Sequence, residues 1–319
     1  MLIFSLDRES ESAQAIAAQL DRTISPHEER SFPDGERKVR PLVDPAGADV
    51  YVIHSLHGGP TDSPDVKLCR LLMFIATLRE HGAGRVSAVV PYLAYARKDR
   101  RTQPYDPVSL RHVARLFEAV ETDQLITLEV HNVAAFQSAF RCQTVHLDAY
   151  HAFDAVAHQF ATCERLAVAS PDPGGVKRAQ LWREWLERRL GRPVAFAMVD
   201  KRRSSGLLGG TQLVSGEVEG ATVLLVDDLI ASGETMQRAA AALRHAGAIS
   251  VVACAAHGLF IEPAAKVLLA DSITQVVVCD SVPPFRIPPD SPMGKRLRVI
   301  PCAALFANAL RNSHEAWRR

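Results

Sequence analysis

Short apolar runs alternate with longer amphipathic ones along most of the chain. Val50–Ile53, Val86–Val90, Gln124–Leu128, Leu166–Ala169, Val223–Val226, Ser250–Ala253 and Gln275–Val278 are brief and rich in β-branched residues, which predicts strands. Glu11–Leu20, Val66–His81, Pro107–Ala119, Val176–Leu190, Thr235–Ala246 and Ala264–Ala270 read as amphipathic helices. Tyr150–Phe160 predicts another helix, and a last one falls at about Cys302–Arg311. Strands alternating with helices indicate the α/β class, with mainly parallel sheets flanked by helices. In such sheets ligands bind beyond the carboxyl ends of the strands, so the residues that follow each strand carry the functional information.

The alternation starts afresh at Leu166, which divides the chain near residue 148 into two α/β halves of similar size. The length of 319 residues suits two domains. Ser204–Ser215 is the one Gly- and Ser-rich passage and is expected to be a mobile loop.

Composition removes several classes. With 37 Lys and Arg against 36 Asp and Glu the net charge is +1, so there is no basic excess to draw nucleic acid. A hydrophobic fraction of 47% with 23% charged residues belongs to a folded chain. No apolar run approaches the ~18 residues of a membrane span, and the segment MLIFSLDRESES lacks the basic start of a secretory signal. The 6 cysteines include no Cys-x-x-Cys pair; they read as reduced thiols of a cytoplasmic protein, forming neither a zinc site nor a disulfide frame.

The densest chemistry lies at 223–236, VLLVDDLIASGETM. An apolar strand runs into two adjacent carboxylates, Asp227 and Asp228. The small, polar loop Ala231-Ser232-Gly233-Glu234-Thr235 follows, and a helix opens directly after it. Backbone N–H groups at a helix N-terminus form an anion site, Ser232 and Thr235 add hydroxyls, and Gly233 permits a tight path. The paired carboxylates suit vicinal hydroxyls or metal-bound water. A sugar phosphate answers both halves of this arrangement; a capped helix after an ordinary strand is the plainer alternative.

This segment resembles the phosphoribosyl-pyrophosphate motif of the phosphoribosyltransferase superfamily. SFPDGERKVR at 31–40, PYLAYARKDRR at 91–101, LEVHN at 128–132, SPDPGGVKRA at 170–179, VDKRR at 199–203 and AAHGLF at 255–260 narrow the likeness. Taken in order with VDDLIASGET, they resemble ribose-phosphate pyrophosphokinase, the phosphoribosyl-pyrophosphate synthetase family. That resemblance implies two phosphoribosyltransferase-like domains: 1–148, joined by the C-terminal helix 302–319, on the ATP side, and 149–301 on the ribose 5-phosphate side. It implies transfer of the diphosphoryl group of ATP to the 1-hydroxyl of ribose 5-phosphate, with Mg²⁺ as cofactor. It also implies a homo-oligomer, dimers building into a hexamer, with active sites shared between subunits. The family has no Walker loop, and no G-x-x-x-x-G-K-[ST] occurs here.

Carried over residue by residue, the resemblance gives Asp227 and Asp228 the ribose hydroxyls, and Ala231, Ser232, Gly233, Glu234 and Thr235 the 5-phosphate. Lys201 and Arg203 become the catalytic cations that close over the reacting phosphates. His131 and Asp172 match the metal positions. Arg97, Lys98, Asp99, Arg101 and His131 would hold ATP, with Phe32, Asp34 and Glu36 reaching adenine and ribose across a subunit boundary. The chain departs from the usual pattern at five places. Glu129-Val130-His131 stands for Asp-Leu-His, Lys98 for Gln, and Pro104-Tyr105 for a Ser-Arg pair tied to phosphate regulation. Ala231 replaces a third Asp, and Glu234 replaces a Gly. A phosphoribosyltransferase and a non-catalytic regulatory paralogue remain the competing readings. The first would lack the Lys201/Arg203 and Phe32–Glu36 constellations, and the second would lack several of the catalytic residues.

Overall fold

The computed structural model describes residues 1–7, 10–200 and 213–319. Lys201, Arg203 and most of Ser204–Ser215 therefore lie outside the described residues. The chain forms two compact units: Met1–Asp148 with Cys302–Arg319, and Ala149–Pro301.

The first unit contains β1 (Leu2–Ser5), β2 (His27–Ser31), β3 (Arg37–Pro41), β4 (Asp49–Ile53), β5 (Arg85–Val90), β6 (Gln124–Leu128) and β7 (Gln143–Leu147). Five of these make a parallel sheet in the order β1-β4-β5-β6-β7, while β2 and β3 pair as a separate antiparallel hairpin. Every residue of β4 and β6 is buried, as strands covered on both faces require. The covering helix Pro64–Glu80 begins where Ser63 accepts the N–H of Val66 and Pro64 fills the first turn.

The final helix, Ala303–Arg318, belongs to this unit and runs past the predicted end at Arg311. It is fixed at the amino ends of the strands. Arg85 donates to Asp49 Oδ1 at 2.7 Å and to the Ser313 carbonyl at 3.1 Å. His314 Nδ1 stands 2.6 Å from Asp49 Oδ2, and Ser313 Oγ donates to Gln124 Oε1 at 2.7 Å. The Asp49 side chain is fully buried, so the Arg85 guanidinium and the hydrogen bond to His314 are what make its charge tolerable there.

The second unit contains β8 (Leu166–Ser170), β9 (Ala195–Asp200), β10 (Leu213–Gly216), β11 (Thr222–Ile230), β12 (Ser250–Gly258), β13 (Gln275–Cys279) and β14 (Leu297–Ile300). Their order is β10-β9-β8-β11-β12-β13-β14, parallel except for β10. From β8 the chain moves outward to β9 and β10, returns to β11 beside β8, and moves outward the other way. Neighbouring β8 and β11 thus flank the topological switch point, where open α/β sheets leave a crevice for ligands.

The expected α/β class with parallel sheets flanked by helices holds. Two local expectations change. Tyr150–Phe160 is not one helix but short 3₁₀ and α segments, Ala149–Phe153, Asp154–Ala157 and His158–Phe160. The strand expected at 223–226 extends to Ile230, so Asp227 and Asp228 lie within it. The reason is the partner: β12 continues alongside, with Asp227 paired to Ala255 and Leu229 to His257.

Candidate active site

Three acidic residues lie at the switch point. β8 and β11 pair up to Ala169 and Leu225, so Asp172 and the Asp227–Asp228 pair come just beyond that last rung. Burial raises the Asp227 carboxyl well above the usual carboxylate range, and the Asp228 charge pushes it the same way; Arg178 opposes both. The Arg178 Nη1 atom lies 3.7 Å from Asp227 Oδ1 and 3.9 Å from Asp228 Oδ1. Asp227 keeps 21% of its side chain exposed, Asp228 6%. Two carboxyl groups lie side by side at this depth with Arg178 beside both, an arrangement suited to hydroxyl donors or a cation.

Sequence reading did not single out Arg178. The signal was there: Lys177 and Arg178 put two cations in the first turn of the helix Val176–Leu190, where the helix dipole disfavours them. A cation in that position needs an acidic partner, and the aspartates supply it.

Asp172 caps its own turn. Its Oδ1 accepts the N–H of Gly174 at 2.9 Å and of Gly175 at 3.3 Å, which leaves Oδ2 for another partner. Ser170 Oγ donates to the Asp172 carbonyl at 2.6 Å and holds the loop.

Ala231 and Ser232 lead into Gly233, which takes a left-handed φ of +78° and starts the helix Glu234–His245 without a side-chain cap. The first N–H groups of that helix have no partner within it and are available to an anion. Glu234 opens the helix one residue before the predicted Thr235; it is exposed, and an acidic first turn agrees with the dipole. Gly233 is fixed by both conformation and space, since a Cβ there would lie 2.8 Å from Leu268 Cγ. Gly233→Ala is expected to cost about 1–2 kcal/mol from the left-handed backbone alone, and the clash with Leu268 adds to it. A thermal melt checks this, and an unchanged midpoint would contradict it.

In the first unit the loops after β5 and β6 meet at the carboxyl edge of the sheet. Asn132 accepts the N–H of Ala135, capping the helix Val133–Ala139, and its Nδ2 donates to Asp99 Oδ2 at 2.8 Å. That bond joins the 97–101 loop to the turn carrying His131. Arg97, Lys98, Arg101 and His131 are exposed. Lys98 Nζ stands 3.7 Å from Asp106 Oδ2. Hydrogen bonds from Thr102 to its carboxylate hold Asp106 down at about 2.

Glu129, His146 and Asp148 bring ligand atoms within 4.8 Å of one another, a grouping the sequence did not reveal. His146 Nε2 accepts the Val130 N–H at 3.2 Å, so its ring proton sits on Nδ1, 3.5 Å from Asp148 Oδ1. Only the two carboxylates are then suited to a hard cation.

Phe32, Asp34 and Glu36 form the tip of the β2–β3 hairpin. Phe32 and Glu36 close it through a 2.8 Å backbone bond, Gly35 supplies a φ of +94°, and Asp34 Oδ1 accepts the Glu36 N–H at 3.0 Å. Arg30 lies over the Phe32 ring at 5.2 Å. Among the described residues, none of the tip's hydrogen bonds reaches the 97–101 loop.

A family model for the N-terminal domain of ribose phosphate pyrophosphokinase matches residues 1–120, and one for a phosphoribosyl synthetase-associated domain matches 210–317. A ribose-phosphate pyrophosphokinase of Caldanaerobacter subterraneus subsp. tengcongensis is 32% identical over 314 residues, covering 98% of this chain and 94% of that one. The chain belongs to the ribose-phosphate pyrophosphokinase family. The family's protein from Gloeobacter violaceus is 34% identical over 98% of this chain and 90% of its own. The crystal structure of phosphoribosylpyrophosphate synthetase from Mycobacterium smegmatis superposes with a TM-score of 0.85 at 30% identity, covering 99% of both chains.

Proposed function

We propose that the switch-point crevice of the second unit is the ribose 5-phosphate site and the carboxyl edge of the first unit the ATP site. The chain is a ribose-phosphate diphosphokinase: it transfers the diphosphoryl group of ATP to the 1-hydroxyl of ribose 5-phosphate and releases AMP. The observation that carries the assignment is a buried carboxylate pair near the end of β11, followed within the same loop by an uncapped helix N-terminus. Asp227 and Asp228 accept the ribose hydroxyls. The N–H groups of 231–235, with the Ser232 and Thr235 hydroxyls, take the 5-phosphate.

The sugar oxygen attacks the β-phosphorus of ATP as its proton departs. The bond from that phosphorus to the α–β bridging oxygen breaks, and AMP leaves with the electron pair. Lys201 and Arg203 neutralise the charge that grows on the transferred group and on the leaving oxygen. Arg97, Lys98, Asp99, Arg101 and His131 bind the triphosphate, and Phe32, Asp34 and Glu36 bind the nucleoside.

Mg²⁺ is the proposed cofactor, and its donor set is sound at Asp172, whose Oδ2 is a hard oxygen left over after Oδ1 takes two N–H groups. His131 suits a phosphate oxygen better than the cation. Held at Asp172, Mg²⁺ would supply positive charge against the phosphates. A homo-oligomer sharing its active sites is proposed because the tip Phe32–Glu36 is exposed, as a segment serving a neighbouring subunit would be. No described helix is long and apolar enough to cross a membrane; the cytoplasm, where ATP is made and used, is the proposed compartment.

The test is AMP release from ATP and Mg²⁺ with and without ribose 5-phosphate, followed by ³¹P NMR. The expected result is sugar-dependent AMP and a new diphosphate ester. A folded protein that binds ribose 5-phosphate but yields no AMP would overturn the reading in favour of a regulatory paralogue.

A further inference from the structure

Where β1 and β4 end, the first unit holds a connected set of charged side chains that the reaction does not use. Its centre is Arg70 with Asp62, whose side chains are 5% and 10% exposed. Arg70 Nη2 donates to Asp62 Oδ2 at 3.1 Å and stands 3.2 Å from His54 Nε2. Arg70 Nη1 donates to Glu29 Oε2 at 3.4 Å. Arg37 grips the same aspartate with two nitrogens, Nη2 to Oδ1 at 2.6 Å and Nη1 to Oδ2 at 3.4 Å. Glu29 lies on β2 and Arg37 on β3, so both strands of the hairpin are tied to one buried pair.

The other end of the set is anchored in the sheet. Asp7, just after β1, lies 3.0 Å from His54 Nδ1 and 3.3 Å from Lys67 Nζ, and accepts the Ser55 N–H at 2.8 Å. Burial pushes against ionisation of Asp62, but the hydrogen bond from Arg37 and the charges of Arg70 and Arg37 outweigh it and hold the carboxyl low. The chain of contacts therefore runs from the sheet through the helix Pro64–Glu80 to the rung Ser31–Arg37, immediately beneath the exposed turn Phe32–Glu36.

His27 packs against Phe4 and Phe74 at the far end of the hairpin, with ring centroids at 6.5 and 5.8 Å, and Val39 touches the core. Apart from Pro41, the remaining residues of both strands are polar, and Arg30, Ser31, Arg37, Lys38 and Arg40 are exposed. A two-stranded ribbon is marginal without tertiary support, and here that support near the tip is ionic.

We propose that Asp62 and Arg70 are positioning residues for ATP: they clamp the base of the hairpin and thereby set where Phe32, Asp34 and Glu36 meet the nucleotide. The proposal rests on the nucleotide role assigned to that tip. An ångström of misplacement is enough to lose one to two orders of magnitude at a binding or reacting centre. The clamp should therefore appear in one substrate's kinetics and not in the other's.

The experiment compares Asp62→Asn, the milder Arg37→Gln, Phe32→Ala, and Asp49→Asn as a control that weakens the same unit at the opposite end of the strands. The expected result for Asp62→Asn is a rise of about tenfold in KM for ATP, with KM for ribose 5-phosphate unchanged. Arg37→Gln is expected to give a smaller rise of the same kind. Hydrogen exchange at the Arg30 and Lys38 amides should quicken in both. Asp49→Asn is expected to lower the melting midpoint without touching KM for ATP. An equal rise in KM for ATP in Asp49→Asn would reduce the clamp to general stability and overturn the proposal. If Phe32→Ala raises KM for ATP while Asp62→Asn and Arg37→Gln do not, the clamp alone is wrong. If Phe32→Ala leaves KM for ATP unchanged, the nucleotide role of the tip fails, and the clamp falls with it.

Discussion

Asp227→Asn is expected to raise the melting temperature of the unliganded protein at pH 8 while reducing kcat/KM for ribose 5-phosphate about a hundredfold. The two effects share a cause. Burial and the Asp228 charge raise the Asp227 carboxyl, so ionising it in the folded chain is unfavourable. A group raised in this way stabilises the fold below its unfolded value of about 3.8 and loses that contribution as pH climbs through the folded value. Asparagine removes the penalty at pH 8 and has nothing to remove at pH 3. The activity loss follows because charge-assisted hydrogen bonds to the sugar contribute about 1.5–3 kcal/mol each, a factor of ten to a hundred and more. Melting curves at the two pH values, alongside steady-state kinetics, test the argument. A midpoint that is not raised at pH 8, or is raised equally at pH 3, would refute the charge explanation.

Lys201→Ala is expected to lower kcat about 10³-fold with KM for ribose 5-phosphate within about twofold. Lys201 follows in sequence on Asp200, the last residue of β9. A cation that acts only as charge moves from ATP to the sugar affects turnover and leaves ground-state binding of the sugar alone. Single-turnover AMP release measures the chemical step directly. Near-normal turnover would remove Lys201 from the mechanism.

The sequence carried the central strands and the acidic loop because burial leaves a plain mark there. β4 and β6 are buried throughout and β11 over most of its length, and the abrupt Asp227-Asp228 in such a strand calls for a ligand. The hairpin was legible only as its turn. HEERS and RKVRP are polar at nearly every position, so no alternation marks them as strands. Their pairing is instead secured by Arg70 and Asp62, which are distant in sequence. Arg178 and Asn132 escaped notice for a related reason. Each acts through a partner that only the fold brings near: Arg178 through the aspartates of β11, Asn132 through Asp99 of the preceding loop. The extension of β11 to Ile230 depends on β12 running beside it, which no local pattern encodes.

The helix Ala303–Arg318 completes a unit whose other residues end at Asp148. A ribosome delivers residues 149–301 in between. The first unit therefore stays without its closing helix, with Asp49 and Arg85 lacking His314 and Ser313, until the whole of the second unit has been made. The part of the chain made first is the part completed last.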